Sequence, residues 1–142
     1  MSTNIIKASV SLVALATSAG SLFVISSFVG LLLAASLVAL MTVCMFWTIS
    51  GEGINRLAAP AIFFFSGIVI PLPLFPDWMQ RLTEVLPFRG LIDTPFRIYM
   101  GVLTGSAAAL ALMHQIAWTI VFISLGRMML MRGVRRLVVQ GG

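Results

Sequence analysis

Residues 8–49 carry no charged side chain. As a helix rising 1.5 Å per residue, that stretch would reach about 63 Å, roughly twice the hydrocarbon thickness of a bilayer. The cluster Thr17-Ser18-Ala19-Gly20-Ser21 is the natural place to divide it, giving spans at about 5–19 and 22–49. One long kinked helix is the alternative, because small residues are tolerated inside membrane helices. The segment 50–56, with Gly51, Glu52, Gly53, Asn55 and Arg56, is the first polar break and reads as a turn. Phe46 and Trp47 precede it, where an aromatic belt would sit. A third apolar run covers 54–70, near the lower length limit for a crossing. Pro60 falls early in it, where a missing N–H costs little, and Ser66-Gly67 lies near its far end, able to bend or pack closely. The last apolar run, 106–126, is long enough to cross and carries His114 and Gln115 near its middle.

Between the last two runs lies 71–105, which holds five of the six prolines and three of the four acids. Pro71, Pro73 and Pro76 forbid a continuous helix and push their predecessors to extended geometry. The segment is nevertheless apolar, so its backbone must be buried in protein or lie at the interface. From Asp77, a candidate N-cap, residues 77–86 alternate at helical spacing: Trp78, Met79, Leu82, Val85 and Leu86 against Gln80, Arg81, Thr83 and Glu84. This pattern predicts a short interfacial helix. Pro87-Phe88-Arg89-Gly90 ends it. Asp93 or Thr94 can cap a second short helix with Pro95 in its first turn, its apolar side formed by Phe96, Ile98, Tyr99 and Val102. Gly101 and Gly105 have small-xxx-small spacing.

Composition agrees with this pattern. The chain has 142 residues, 60% hydrophobic and 9% charged, with mean hydropathy +1.10, far from the quarter charged of soluble domains. The fold class expected is all-α: a polytopic transmembrane helical protein, a single domain of three to four spans with two short interfacial or re-entrant helices between the last two. The N-terminus fits a signal peptide weakly, since the apolar character continues well beyond a leader's length. Net charge is +5. Arg127, Arg132, Arg135 and Arg136 crowd the tail 127–142, which places the tail in the cytoplasm and the 71–105 loop outside. If the first run crosses twice, the N-terminus with Lys7 is also cytoplasmic. The basic flank suits a lipid surface rather than nucleic acid.

Candidate chemistry is sparse. One histidine and a lone Cys44 offer no metal-ligand spacing and no intrachain disulfide. There is no phosphate-binding loop, so the chain does not hydrolyse ATP. No cofactor and no catalytic residue is expected. Asp77, Glu84 and Asp93 each have an arginine four or five residues on (Arg81, Arg89, Arg97), and surface pairing accounts for them. His114 and Gln115 are either a substrate or proton contact or an interhelical hydrogen bond. With Ser26, Ser27 and Ser36 they are the polar positions that could line a path.

The residues FFFSGIVIPLPLFPDWMQRLTEVLPFRGLIDTPFRIYMG, then Gln115-x-x-Trp118 and the ending GVRRLVVQGG, resemble permease subunits of type-2 ABC exporters, in particular a bacterial multidrug-type branch. Phe46-Trp47 before the Gly51–Gly53 segment matches too. The resemblance runs from about residue 21 to the end and rests on the order of the motifs. It implies a six-span permease that dimerises, as homo- or heterodimer, on cytoplasmic ABC ATPase subunits, with short re-entrant helices before the last span. The positions expected to shape the loop or a gate are Gly67, Pro71, Pro73, Pro76, Trp78, Pro87, Phe88, Pro95 and Gly101; those expected on the path or between helices are His114, Gln115 and Trp118. A complete permease is much longer. The resemblance therefore implies a C-terminal fragment or split permease, working with a separate N-terminal permease half. Contact with the ATPase would then rest on 50–56 and the basic tail. A small stand-alone or accessory multi-pass membrane protein is the alternative.

Overall fold

The computed structural model describes residues 2–45 and 51–137. Among these, every regular element is helical. The order is α1 (Ser2–Met45), α2 (Gly51–Phe65), a 3₁₀ turn (Leu72–Leu74), α3 (Asp77–Val85), a second 3₁₀ turn (Pro87–Gly90), α4 (Asp93–Tyr99) and α5 (Gly105–Leu137). Phe46-Trp47, Ser50 and the last five residues, for which a belt, a turn and a basic tail were expected, lie outside the described residues.

The expected break at 17–21 is not there. α1 runs unbroken for 44 residues. Ser18, Ala19 and Gly20 continue the helix because short side chains leave its backbone hydrogen bonds intact, and Ser21 returns its hydroxyl to the Ser18 carbonyl at 3.0 Å. An unbroken helix does not turn back, so the placement of Lys7 on the same side as the tail does not follow. The turn expected at 50–56 is corrected as well: from Gly51 onward the chain is helical. Pro60 consequently sits inside α2 rather than near its start. That helix ends at Phe65, not at 70, where buried Ser66 and Gly67, at φ +84°, bend the chain. Among the described residues, two helical stretches are long and apolar enough to cross a membrane, Thr17–Met45 and Gly105–Gly133, while the apolar part of α2, Arg56–Phe65, is shorter.

α1 and α5 run parallel. Ser26 meets Gln115 near one end of their contact and Cys44 meets Met129 near the other. Leu33 and Leu37 pack with Phe122 at its centre, and Phe88 of the second 3₁₀ turn, Leu91 just after that turn and Ile62 from α2 close over them. The chain between α2 and α5 thus folds back onto the α1–α5 pair. Aromatic contacts fix it there: Phe64 stacks on Phe75, Phe65 on Phe88, and Phe23 of α1 meets Phe96 and Tyr99 of α4.

The short helices begin one residue away from the expected caps. Pro76 and Ile92 take the N-cap positions, with no side-chain cap bond, and Asp77 and Asp93 are the first helical residues. Both carboxylates still lie in the first turn, where the helix dipole favours negative charge. Gly101 and Gly105 are not a helix-packing pair. They have φ of +72° and +54° with open space around them, so they turn the chain between α4 and α5.

Candidate functional site

The side chain that joins these elements is Gln115. It is fully buried on α5. Its Nε2 donates to the Gly90 carbonyl at 2.6 Å and to the Ser26 carbonyl at 3.2 Å, and its Oε1 accepts from the Ser26 hydroxyl at 3.1 Å. Thr119 Oγ1, one turn on, donates to the Gln115 carbonyl at 2.8 Å. One amide therefore ties α1, α5 and the second 3₁₀ turn together. The tight turn frees the Gly90 carbonyl from helical bonding, and an orphan carbonyl buried in an apolar site needs a donor.

Two glycines make the approach possible. A Cβ at Gly30 of α1 would lie 3.1 Å from the Gly90 oxygen and 3.2 Å from the Leu91 oxygen; one at Gly90 would lie 3.0 Å from Gln115 Cγ and from Leu33 Cδ2. Sequence reasoning missed Gly30 and read Gly90 only as a helix stop. The signal for Gly30 was its spacing from Ser26, a small residue four positions earlier on the same helix face.

His114 and Trp118 form a second clasp one step away. Trp118 Nε1 lies 3.1 Å from the Val85 carbonyl and 3.1 Å from His114 Nε2, which is itself 3.2 Å from the same carbonyl. Val85 is the last residue of α3, so its carbonyl is one of the helix-end acceptors that the helix cannot satisfy. Replacing Trp118 by phenylalanine should loosen α3 by about 1 kcal/mol, the usual net worth of one hydrogen bond. Tryptic cleavage at exposed Arg81 in detergent should then quicken about fivefold; an unchanged rate would mean that the indole N–H does not hold α3.

The remaining positions divide by burial. Pro87 and Pro95 are buried in the first turns of the second 3₁₀ turn and of α4. Phe88 packs into the core cluster. Pro71, Pro73 and Pro76 lie exposed along the rim, and Gly101 is exposed in its turn. Trp78, with Leu82 and Val85, points away from the protein, while Thr83 of the same helix is buried and Gln80 donates to the Pro73 and Phe75 carbonyls. α3 therefore turns Gln80 and Thr83 to the protein and Trp78, Leu82 and Val85 outward, with Asp77, Arg81 and Glu84 exposed beside them. Among the described residues Asp77 and Arg81 do not pair. Asp93 instead faces two arginines, Arg89 Nε at 3.2 Å and Arg97 Nη1 at 3.6 Å, with Glu84 3.9 Å from Arg89.

Ser36 donates to the Leu33 carbonyl and borders a cleft of about 360 Å³ between α1 and α5, with Phe122, Arg127 and Met131 on the α5 side. Ser27 borders a second groove of about 280 Å³ between α1 and α2, walled by Leu31, Ile62 and Phe63. Both are largely apolar. Ser26 and Gln115 are spent on each other, so the node offers fixed hydrogen bonds and close backbone packing rather than a titrating group.

A family model described as "ABC-2 family transporter protein" matches residues 3–141. No curated protein and no solved structure matches the chain.

Proposed function

The chain belongs to the ABC-2 transporter family, and from that premise we propose that it serves as the C-terminal part of an exporter permease. It would form part of the substrate path while a separate ABC ATPase hydrolyses ATP. Membership makes the chain a membrane component of transport and not itself a catalyst. The partners proposed are the ATPase, a second permease unit and a separate N-terminal permease half, in the inner membrane of the cell.

The observation that carries this reading is the Gln115 node. It supports a role for the 71–105 segment as a closure: a re-entrant piece held between two long helices by one buried amide and two glycines, rather than a loop left free. Such a piece can be seated or released as the helices around it shift. The apolar clefts on either side of α1 suit an apolar or amphipathic substrate. The four arginines from Arg127 onward support a cytoplasmic C-terminus. The parallel run of α1 and α5 fits that orientation, since it puts the end of α1 on the tail's side and the loop on the opposite one.

The test is recovery of partners. The chain, tagged in its native genomic context and extracted in mild detergent, should bring an ABC ATPase with it. Recovery alone, as a defined oligomer, would replace the transport reading by that of a stand-alone membrane protein.

A further inference from the structure

Behind α3, against the Leu72–Leu74 turn, lies a small polar pocket of about 140 Å³ bordered by Gln80, Thr83, Glu84, Arg89 and Arg97. We propose that this pocket binds the headgroup of a zwitterionic phospholipid, its phosphate held by Arg89 and Arg97 and its ammonium by Glu84.

Charge decides the ligand class. The two guanidiniums are partly buried, at 19% and 25% side-chain exposure, and they share one partly buried carboxylate, Asp93, at 11%. That carboxylate accepts from Arg89 Nε–H and lies 3.6 Å from Arg97 Nη1. Each guanidinium has five N–H donors, and both arginines border the pocket. The inner part of the site therefore carries one positive charge in excess of its carboxylate, in a place where an uncompensated charge is costly. A phosphodiester supplies one negative charge and the oxygen geometry that arginine recognises through paired N–H groups. Glu84 stands apart. It is 65% exposed and pairs with Arg89 Nη1 only at 3.9 Å, a rim contact that solvent screens. A primary ammonium one short arm away from the phosphate would meet it at the rim. Two arginines, two carboxylates, a phosphate and an ammonium balance; an anionic headgroup without the ammonium leaves Glu84 facing a like charge.

Depth decides the source. α3 exposes Trp78, Leu82 and Val85 on its outward side, the arrangement of a helix lying in the interface with its apolar face in the acyl region. Gln80 and Thr83 pack against the protein, while exposed Asp77, Arg81 and Glu84 then stand at headgroup depth, which tryptophan also favours. Leu72 and Pro73 give the pocket an apolar wall beside the lipid.

This inference needs α3 at a membrane surface but does not depend on transport, and its test reads binding with no ATPase present. The full chain in detergent would be titrated with dioleoylphosphatidylethanolamine, dioleoylphosphatidylglycerol and inorganic phosphate, with adducts counted by native mass spectrometry. The ethanolamine lipid should be retained in preference, and Arg97→Gln should weaken its retention about tenfold, as loss of a charged hydrogen bond does. Glu84→Gln, at an exposed position that leaves the fold intact, should abolish the preference over phosphatidylglycerol. Equal retention of both lipids by the unsubstituted chain, or unchanged retention in Arg97→Gln, would overturn the proposal. Displacement of the lipid by millimolar phosphate would also overturn it and reassign the pocket to a free anion.

Discussion

Gln115→Leu is expected to lower stability in detergent by about 2–4 kcal/mol while leaving membrane insertion unchanged or improved. The two effects have opposite signs because they refer to different processes. Insertion compares the helix in water with the helix in lipid, where leucine is favoured over an amide. Stability compares packed helices with separated ones in the same solvent, where leucine's apolarity gains nothing. What is lost is three hydrogen bonds that hold three elements together. Bonds between membrane helices average about 0.6 kcal/mol and reach about 1.7; the Gly90 carbonyl, left buried without a donor, adds about 1–3 kcal/mol. Ser26→Ala removes only the hydroxyl and leaves both Nε2 bonds, so it should cost less than half as much. Thermal unfolding followed by circular dichroism, beside the amount of protein in the membrane fraction, separates the quantities. Equal melting of Gln115→Leu and the unsubstituted chain would remove the amide from its central place.

Gly30→Leu is the second large effect expected. The atoms that a side chain at Gly30 would meet are the backbone oxygens of Gly90 and Leu91, at 3.1 and 3.2 Å from the first carbon alone. Backbone carbonyls within a 3₁₀ turn cannot swing aside as a flexible side chain can. Either the turn moves off α1, breaking the Gln115–Gly90 bond, or α1 bows. Overpacking of this kind costs about 1–3 kcal/mol by itself, and loss of the amide bond brings the total to about 4 kcal/mol. Gly20→Leu is the matched control. It lies on the same helix with nothing within 4 Å of its Cβ position, and it should be neutral or stabilising by up to about 1 kcal/mol, since glycine is a poor helix former. Comparable losses at both sites would show that α1 objects to bulk in general and that the close contact with the loop is not the cause.

The sequence made the helices and the loop legible because hydropathy and proline act locally. A charge-free run announces a buried or lipid-facing helix, and prolines at 71, 73, 76, 87 and 95 bracket two short helices whose extents, Asp77–Val85 and Asp93–Tyr99, lie within a few residues of the spacing-based reading. The division of α1 at 17–21 failed because serine, threonine and glycine are breakers in water but pass unremarked in a membrane helix. The 3.6-residue pattern of α3 correctly gave its two faces but not which one meets the protein, because lipid accepts an apolar face as readily as a core does. Gln115 stood out as an amide within an apolar run. Its partners did not, since Gly30 and Gly90 are distant in sequence and neither carries chemistry that advertises a contact.

The unbroken course of α1 has a mechanical consequence. A helix without a joint behaves as a rod, and the Gly30 contact is where the loop presses on it. From Gly30 to Met45 is 15 residues, about 22 Å of axis. A tilt of about 10° around that contact would carry the far end through about 4 Å, roughly three-quarters of the rise of one helical turn. The 360 Å³ cleft bordered by Ser36 and Arg127 lies along this arm, so unseating the loop at Gly30 and widening the cleft toward Met45 would be a single movement of one lever.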